Sequence, residues 1–341
     1  MYTTLRYRIK DSTTKKKLQQ LASKVNFVWN YCNATSFDAI RNFSKFLSVF
    51  DLNNLMAGSS KELPLHSQTF QAIAKEYVTR RKQFKKRKLK WRSYKKSLGW
   101  IPVSASAIKL QGSEIVYQKV RYKIWLHRPI IGVIKSGSFN QDSRGNWYVN
   151  LQCEIPDGPS KTEGEDLGID LGLKEKLTLS NGKSYTRENL TKSFEVKLAK
   201  AQRARRFRIA RKIQAKIRNK RKDWNHKRTY EIVQAAKRIV LGDLNLPKTK
   251  SVYDAGFSQI KNYLHYKAIR HGVNFNLINE SYSTCTCSNC SARSGPSGLR
   301  GLGVREWTCS VCGSFHNRDV NAAKNILRFG TESPINGSPA L

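Results

Sequence analysis

The chain has 341 residues, with 63 Lys and Arg against 24 Asp and Glu, so its formal charge is +39. A compact fold with that excess repels itself unless a polyanion neutralises it, which makes nucleic acid the leading partner. Seven Trp, 14 Tyr and 14 Phe exclude a collagenous or disordered chain. No apolar run approaches the ~20 residues of a membrane helix, so no membrane association is expected. The start, Met1 to Ile9, does not read as a signal peptide.

Length predicts two or three domains. Leu5 to Ile9 alternates as a strand. Leu18, Leu21, Ala22, Val25, Val28, Trp29 and Cys32 then share one helical face, with Ser12 or Thr13 placed to cap it. A second helix is expected from Ser67 through Phe70, Ile73, Ala74, Tyr77 and Val78, flowing into a basic tract from Arg80 to Lys96. From Ile101 to Ile155 short apolar runs predict a small antiparallel barrel or sandwich, with Asp142 to Asn146 as a turn. Pro156 to Ser160 is a linker by composition. Beyond it, Leu167 to Gly172 and Leu177 to Ser180 read as strands, followed by one long helical region, about Ser193 to Lys237, in which Ile209, Ile213 and Ile217 make a narrow packing face. Arg238 to Leu241 and Asn274 to Ile278 are further buried strands, and Arg318 to Arg328 is a helix.

Two CxxC turns, Cys287 with Cys290 and Cys309 with Cys312, have the spacing of a tetrahedral zinc site with sulfurs about 2.3 Å from the metal. Four thiolates leave no open position, so that zinc is expected to be structural. Clustered cysteines also point to a reducing compartment rather than a disulfide framework. Three acids stand at the edges of apolar elements: Asp170, Glu280 and Asp319. A carboxylate beside a buried strand is costly to desolvate, and magnesium would remove that cost. Three carboxylates at two strand ends and a helix start are what an RNase H-like nuclease fold uses to hold two metals ~4 Å apart. The competing reading makes each acid a cap or a salt-bridge partner, most readily Asp319 in the first turn of its helix.

The third feature is cationic. The tract from Arg80 to Lys96 holds eleven Lys and Arg and no acid, with Phe84, Trp91 and Tyr94 interleaved. Residues 191–230 carry sixteen Lys and Arg against Glu195 and Asp223. Solvated helix faces usually mix signs, so phosphate neutralisation is the better account. The expected contacts are Arg80, Arg81, Lys85, Lys86, Arg87, Lys88, Lys90 and Arg92, and, in the second region, Arg205, Arg206, Arg211 and Lys212.

Gly168-Ile-Asp170-Leu-Gly172, the run from Tyr282 to Cys290, Trp307 to Gly313, and His316 to Leu327 together resemble the TnpB family of transposon-encoded, RNA-guided DNA nucleases, related to Fanzor proteins and type V CRISPR effectors. The resemblance covers roughly residues 165–328. It implies an α+β multidomain protein: a wedge β-barrel (1–10 and 101–160) interrupted by a helical recognition lobe (11–100), then a RuvC-like, RNase H-type α/β nuclease (161–283 and 314–329) interrupted by a zinc-ribbon module (284–313), with a flexible tail (330–341). Most relatives carry the second catalytic Glu where this chain has Gly242; Asn279-Glu280-Ser-Tyr282 resembles the rearranged version, which assigns Glu280 as the second acid. Asp243 then points to the other face of its strand.

The resemblance further implies a guide RNA and double-stranded target DNA as partners, one structural zinc, two catalytic magnesium ions, and a place in the bacterial cytoplasm, on the nucleoid. Two other functions fit the same residues: a nuclease-dead RNA-guided DNA-binding repressor, supported by Gly242, and a transposase acting directly on DNA ends.

Overall fold

The structure, a computed structural model, describes residues 1–10, 13–243, 255–298 and 300–332. Ser12, one of the two expected helix caps, residues 244 and 245, and the tail beyond Glu332 lie outside them. The chain divides into two compact units, Tyr2–Ile155 and Pro156–Leu341, the second including Met1. Among the described residues, no helix is long and apolar enough to cross a membrane.

In the first unit, strand β1 (Tyr2–Arg8) is followed by helices α1 (Thr13–Phe43), α2 (Val49–Leu55) and α3 (Ser67–Gln83). The expected apolar faces of α1 and α3 are all buried. On α1 the apolar signal fades beyond Cys32 because the core-facing positions there are Asn33 and Ser36, both fully buried. Six strands follow: β2 (Trp100–Ser104), β3 (Lys109–Gln111), β4 (Glu114–Tyr117), β5 (Val120–Lys123), β6 (Val133–Gln141) and β7 (Trp147–Glu154). They form two antiparallel sheets, β1-β7-β6-β2 and β3-β4-β5, bridged at Ile9 and Ile124. Phe139 joins them, its ring 5.7 Å from Tyr117 and 5.1 Å from Tyr122. The turn at Asp142 closes β6 on β7. Burial opposes that carboxylate's ionisation, but the backbone N–H groups of Asn146 and Arg144, each donating at 2.9 Å, and their side chains bring its pKa down to about 2.

The second unit holds a mixed five-stranded sheet in the order β10-β9-β8-β11-β12: β8 (Glu165–Asp170), β9 (Glu175–Leu179), β10 (Ser184–Thr186), β11 (Ala236–Asp243) and β12 (Asn274–Asn279). Strands β8, β11 and β12 are parallel, so Asp170, Asp243 and Asn279 end on one edge of the sheet. The expected single helix after β10 is two, α4 (Leu190–Arg203) and α5 (Phe207–Ala235). The chain reverses between them through Arg205, whose φ of 52° is left-handed and cannot continue a helix. Of the expected isoleucine stripe only Ile217 is buried, beside Ala210 and Ala215; Ile209 is exposed. Helix α6 (Phe257–Arg270) leads into β12, and the ribbon β13 (Glu306–Thr308) with β14 (Phe315–Asn317) precedes α7 (Arg318–Glu332).

Helix α7 lies directly on β8. A Cβ at Gly168 would stand 2.1 Å from the Ala323 carbonyl oxygen and 2.8 Å from Leu327 Cβ. Only a bare backbone allows this approach. Gly168→Ala therefore overpacks the contact, and a loss of roughly 1–3 kcal/mol is expected. A denaturant midpoint equal to wild type would show that α7 gives way without cost.

Candidate metal centres and nucleic-acid interface

The carboxyl edge of the sheet gathers the predicted acids. Asp170 is the last residue of β8, and Glu280 follows the last residue of β12. Between these strands lies β11, where Gly242 pairs with Ile278. A Cβ on Gly242 would meet Glu280 Oε2 at 2.6 Å and Glu280 Cβ at 3.1 Å. The space above Gly242 is thus filled by the Glu280 side chain arriving from the neighbouring strand. Asp243 is more than half exposed and pairs with Lys261 Nζ at 3.2 Å. Asp319 sits in the first turn of α7, where it is not the cap: Asn317 Oδ1 accepts from the N–H groups of Asp319 and Val320, both at 3.2 Å. Its two oxygens each lie 3.3 Å from Arg305 Nη1.

Burial pushes the Asp170 pKa up to about 7, and the charges of Glu280 and Asp319 push the same way. Glu280 is likewise raised to about 7, by burial first and then by Asp243. Glu280 Oε2 is buried with no hydrogen-bond partner. A buried carboxylate oxygen without a donor, near a second, half-buried carboxylate, fits a hard divalent cation. The three carboxylates are not drawn as tightly together as the cysteines: among the described residues only the four thiols have all their ligand atoms within 4.8 Å of one another.

Those thiols sit on two equivalent knuckles. In each, the N–H of the first cysteine bonds the carbonyl five residues on (Cys287 to Ala292, 2.8 Å; Cys309 to Ser314, 2.9 Å). The residue after the second cysteine returns an N–H to the first (Ser291 to Cys287, 3.0 Å; Gly313 to Cys309, 2.9 Å). That returning residue is left-handed in both, at φ 67° for Ser291 and 71° for Gly313. Sulfur separations of 3.7 Å (Cys287 to Cys312) and 3.6 Å (Cys290 to Cys309) match the roughly 3.8 Å edge of a tetrahedron with 2.3 Å arms. The cluster could hold one zinc. The Ser314 hydroxyl and backbone N–H lower the pKa of the Cys312 thiol, while the neighbouring Cys312 sulfur raises that of Cys290. His316 Nε2 lies 3.0 Å from Cys287 Sγ, placed to donate to a thiolate. Cys285 stays outside the cluster.

Two residues that join these centres carry little signal in the sequence. Asn321 and Asn325, both buried on α7, donate to the Thr286 carbonyl at 2.8 and 2.6 Å, and Asn325 also donates to Ser283 at 2.9 Å. Asn321 Oδ1 accepts from the Ser288 N–H at 2.8 Å. In sequence Asn321 reads only as a small residue suited to packing. The four-residue spacing of Asn321 and Asn325, which places both on one face of a helix, is the signal that was available.

The basic surfaces need two corrections. Arg81 is 4% exposed; it donates to the Leu47 carbonyl at 2.6 Å and lies near the Phe46 and Tyr77 rings, so it is a core residue. Arg92 is half-buried and spends its guanidinium on Asn26 Oδ1 and the Leu98 carbonyl, both at 2.8 Å. Neither is free for phosphate. Arg80 is exposed but paired with Glu76 at 2.7 Å. Lys85, Lys86, Arg87, Lys88 and Lys90 are exposed, as are Arg205, Arg206, Arg211 and Lys212 around the α4–α5 turn.

The family model described as the Cas12f1-like TNB domain matches residues 257–326. A putative RNA-guided DNA endonuclease of Streptomyces pristinaespiralis is 34% identical over 211 residues, 56% of this chain and 52% of that protein. The TnpB-like protein L770 of Acanthamoeba polyphaga mimivirus is 27% identical over 239 residues, 60% of this chain and 45% of its own length. The chain thus spans about half the length of these relatives. The cryo-EM structure of a Cas12f1-sgRNA-target DNA complex matches in fold with a TM-score of 0.63 at 12% identity, covering 96% of this chain and 98% of that one.

Two outcomes follow from the geometry. Raised carboxyl pKa values mean that the folded, metal-free protein holds protons which the unfolded chain gives up, so stability from Asp170 and Glu280 is present at about pH 4 and is lost as pH rises to about 7. Asp170→Asn should leave the melting temperature in chelator unchanged near pH 4 and raise it near pH 8, while magnesium stabilises wild type only at the higher pH. A variant that melts lower than wild type at both pH values would mean that the carboxylate is already paired. Cys309→Ser should release bound zinc and lower the melting temperature, because metal binding contributes ~10–16 kcal/mol in small zinc domains; full zinc content by elemental analysis would remove Cys309 from the ligand set.

Proposed function

We propose that this chain is a member of the TnpB family and an RNA-guided DNA endonuclease that cleaves double-stranded DNA selected by a guide RNA. The observation that carries this is the Glu280 side chain over Gly242, its Oε2 buried without a hydrogen-bond partner, with half-buried Asp170 at the end of β8. The strand order β10-β9-β8-β11-β12 supports a RuvC-like, RNase H-type nuclease in residues 161–283 and 314–329. The first unit supports a wedge (1–10 and 101–160) around a recognition lobe (11–100), and the knuckles support a zinc-ribbon module in 284–313.

In this reading Asp170, Glu280 and Asp319 hold two magnesium ions. Bound there, magnesium would supply an activated water and stabilise the leaving oxygen. The chain's own residues do the rest. Burial keeps Asp170 and Glu280 away from competing solvent donors. Arg305 fixes the Asp319 carboxylate from the zinc-bearing segment. Exposed cations of both units neutralise phosphates, so sequence is read by pairing with the guide rather than by side chains. The binding-only reading rests on Gly242, and Glu280 occupies that place, which favours cleavage.

The test is a guide-loaded cleavage assay in magnesium comparing Glu280→Gln with Asp243→Asn. Glu280→Gln should lower turnover by at least ~100-fold, since even outer-shell partners of metal ligands contribute 10–100-fold. Asp243→Asn, which loses the Lys261 pair and a charge that opposes Glu280 ionisation but no proposed ligand, should cut at close to the wild-type rate. The reverse pattern would transfer the role to Asp243, and a wild type that binds its target without cutting would make the protein a repressor.

A further inference from the structure

The basic tract is expected to continue α3, but the helix stops at Gln83, and the chain from Phe84 to Gly99 forms an irregular strap. Its backbone is held by asparagines of α1. Asn33 Nδ2 donates to the Leu89 carbonyl at 2.8 Å, and Asn33 Oδ1 accepts from the Leu89 N–H at 2.9 Å. Asn30 repeats the pattern on Arg92, at 2.7 and 2.8 Å. Each primary amide offers one donor and one acceptor to one residue, which is what a neighbouring β-strand would offer. As residue numbers fall along α1 they rise along the strap, so the two run antiparallel.

With its backbone tied to α1, and Leu89 and Arg92 turned inward, the strap leaves most of its other side chains exposed. Lys85, Lys86, Arg87, Lys88 and Lys90 have no ion pair among the described residues. Phe84, Trp91 and Tyr94 are 55%, 55% and 62% exposed. Lys88 Nζ lies 4.6 Å from the Phe37 ring centre and 5.8 Å from that of Trp91. Exposed rings among unpaired cations suit a strand whose bases are open to stacking. A duplex hides its base faces and would use the cations alone.

We propose that residues 84–96 form a preordered stacking platform for an unpaired stretch of RNA, with Trp91 as its principal ring and Asn30 and Asn33 as positioning residues that touch no ligand. The inference deepens the guide-RNA reading and rests on it for the identity of the RNA. Because the backbone is already fixed, binding does not have to order it.

The experiment uses the full chain and measures anisotropy with an oligouridine of roughly 12 nucleotides, within the usual site sizes, and with an RNA duplex of equal length. Trp91→Ala should weaken oligouridine binding roughly 5- to 150-fold and leave the duplex nearly unchanged, while Trp91→Phe restores most of the loss. Asn30→Ala should speed hydrogen exchange at the Arg92 amide and weaken oligouridine binding with every cation and ring retained; a thermal melt checks that it folds. Equal losses for single strand and duplex, or no loss for Trp91→Ala, would overturn the platform. Faster Arg92 exchange with unchanged affinity would overturn the preordering. If a discrete RNA copurifies with wild type and Trp91→Ala has no effect, the platform fails and the guide reading stands. If the variants behave as expected and no discrete RNA copurifies, the guide reading fails and the platform stands.

Discussion

Two half-buried carboxylates at one edge of a sheet, both held well above the ordinary carboxylate range, are the constraint around which the second unit is arranged. An ionised carboxylate in a low-dielectric site is strongly disfavoured. Here the raised pKa values of Asp170 and Glu280 express that penalty directly. The surroundings conserve it rather than relieve it. Parallel strands bring their ends to one edge, Gly242 leaves room for a side chain from the next strand, and Gly168 lets α7 lie close enough to present Asp319. Among the described residues the one ion pair to this group is Arg305 on Asp319, while the charge of Arg318 offsets part of the penalty at Asp170.

What could be read from sequence followed from how local each cause was. The CxxC spacings specify their knuckles through a few consecutive residues, and the hydrogen-bond pattern recurs almost identically in both. Apolar periodicity placed the buried faces of α1 and α3. Asp170 stands out because glycines flank an acid in an apolar run. The partnership of Glu280 with Gly242 is different: it depends on register between β11 and β12, and only the family resemblance pointed to it. The α4–α5 break was hidden because its turn is made by Arg205 without glycine or proline.

Charge was the least legible property residue by residue. Sequence counts eleven cations in the strap region, but burial decides their roles, and burial is set by distant partners. Arg81 meets the Leu47 carbonyl, 34 residues away, and Arg92 meets Asn26, 66 away. Buried asparagines were equally silent, since a polar residue on a helix gives no sign of whether it faces water or another backbone. Asn30, Asn33, Asn321 and Asn325 all use the primary amide to hold a segment lacking regular hydrogen bonds of its own.

That use of Asn321 and Asn325 ties soft-metal chemistry to hard-metal chemistry. One rigid helix carries Asp319 at its start and grips, a turn later, the backbone that leads into Cys287. Thiophilic poisons and oxidants do not attack carboxylates, yet here they would reach the carboxylate edge through the helix. The proposed cleavage would thus inherit the redox sensitivity of the cysteines: peroxide should silence cutting in step with zinc release, and cutting that persisted after the zinc had gone would show the two centres to be mechanically independent.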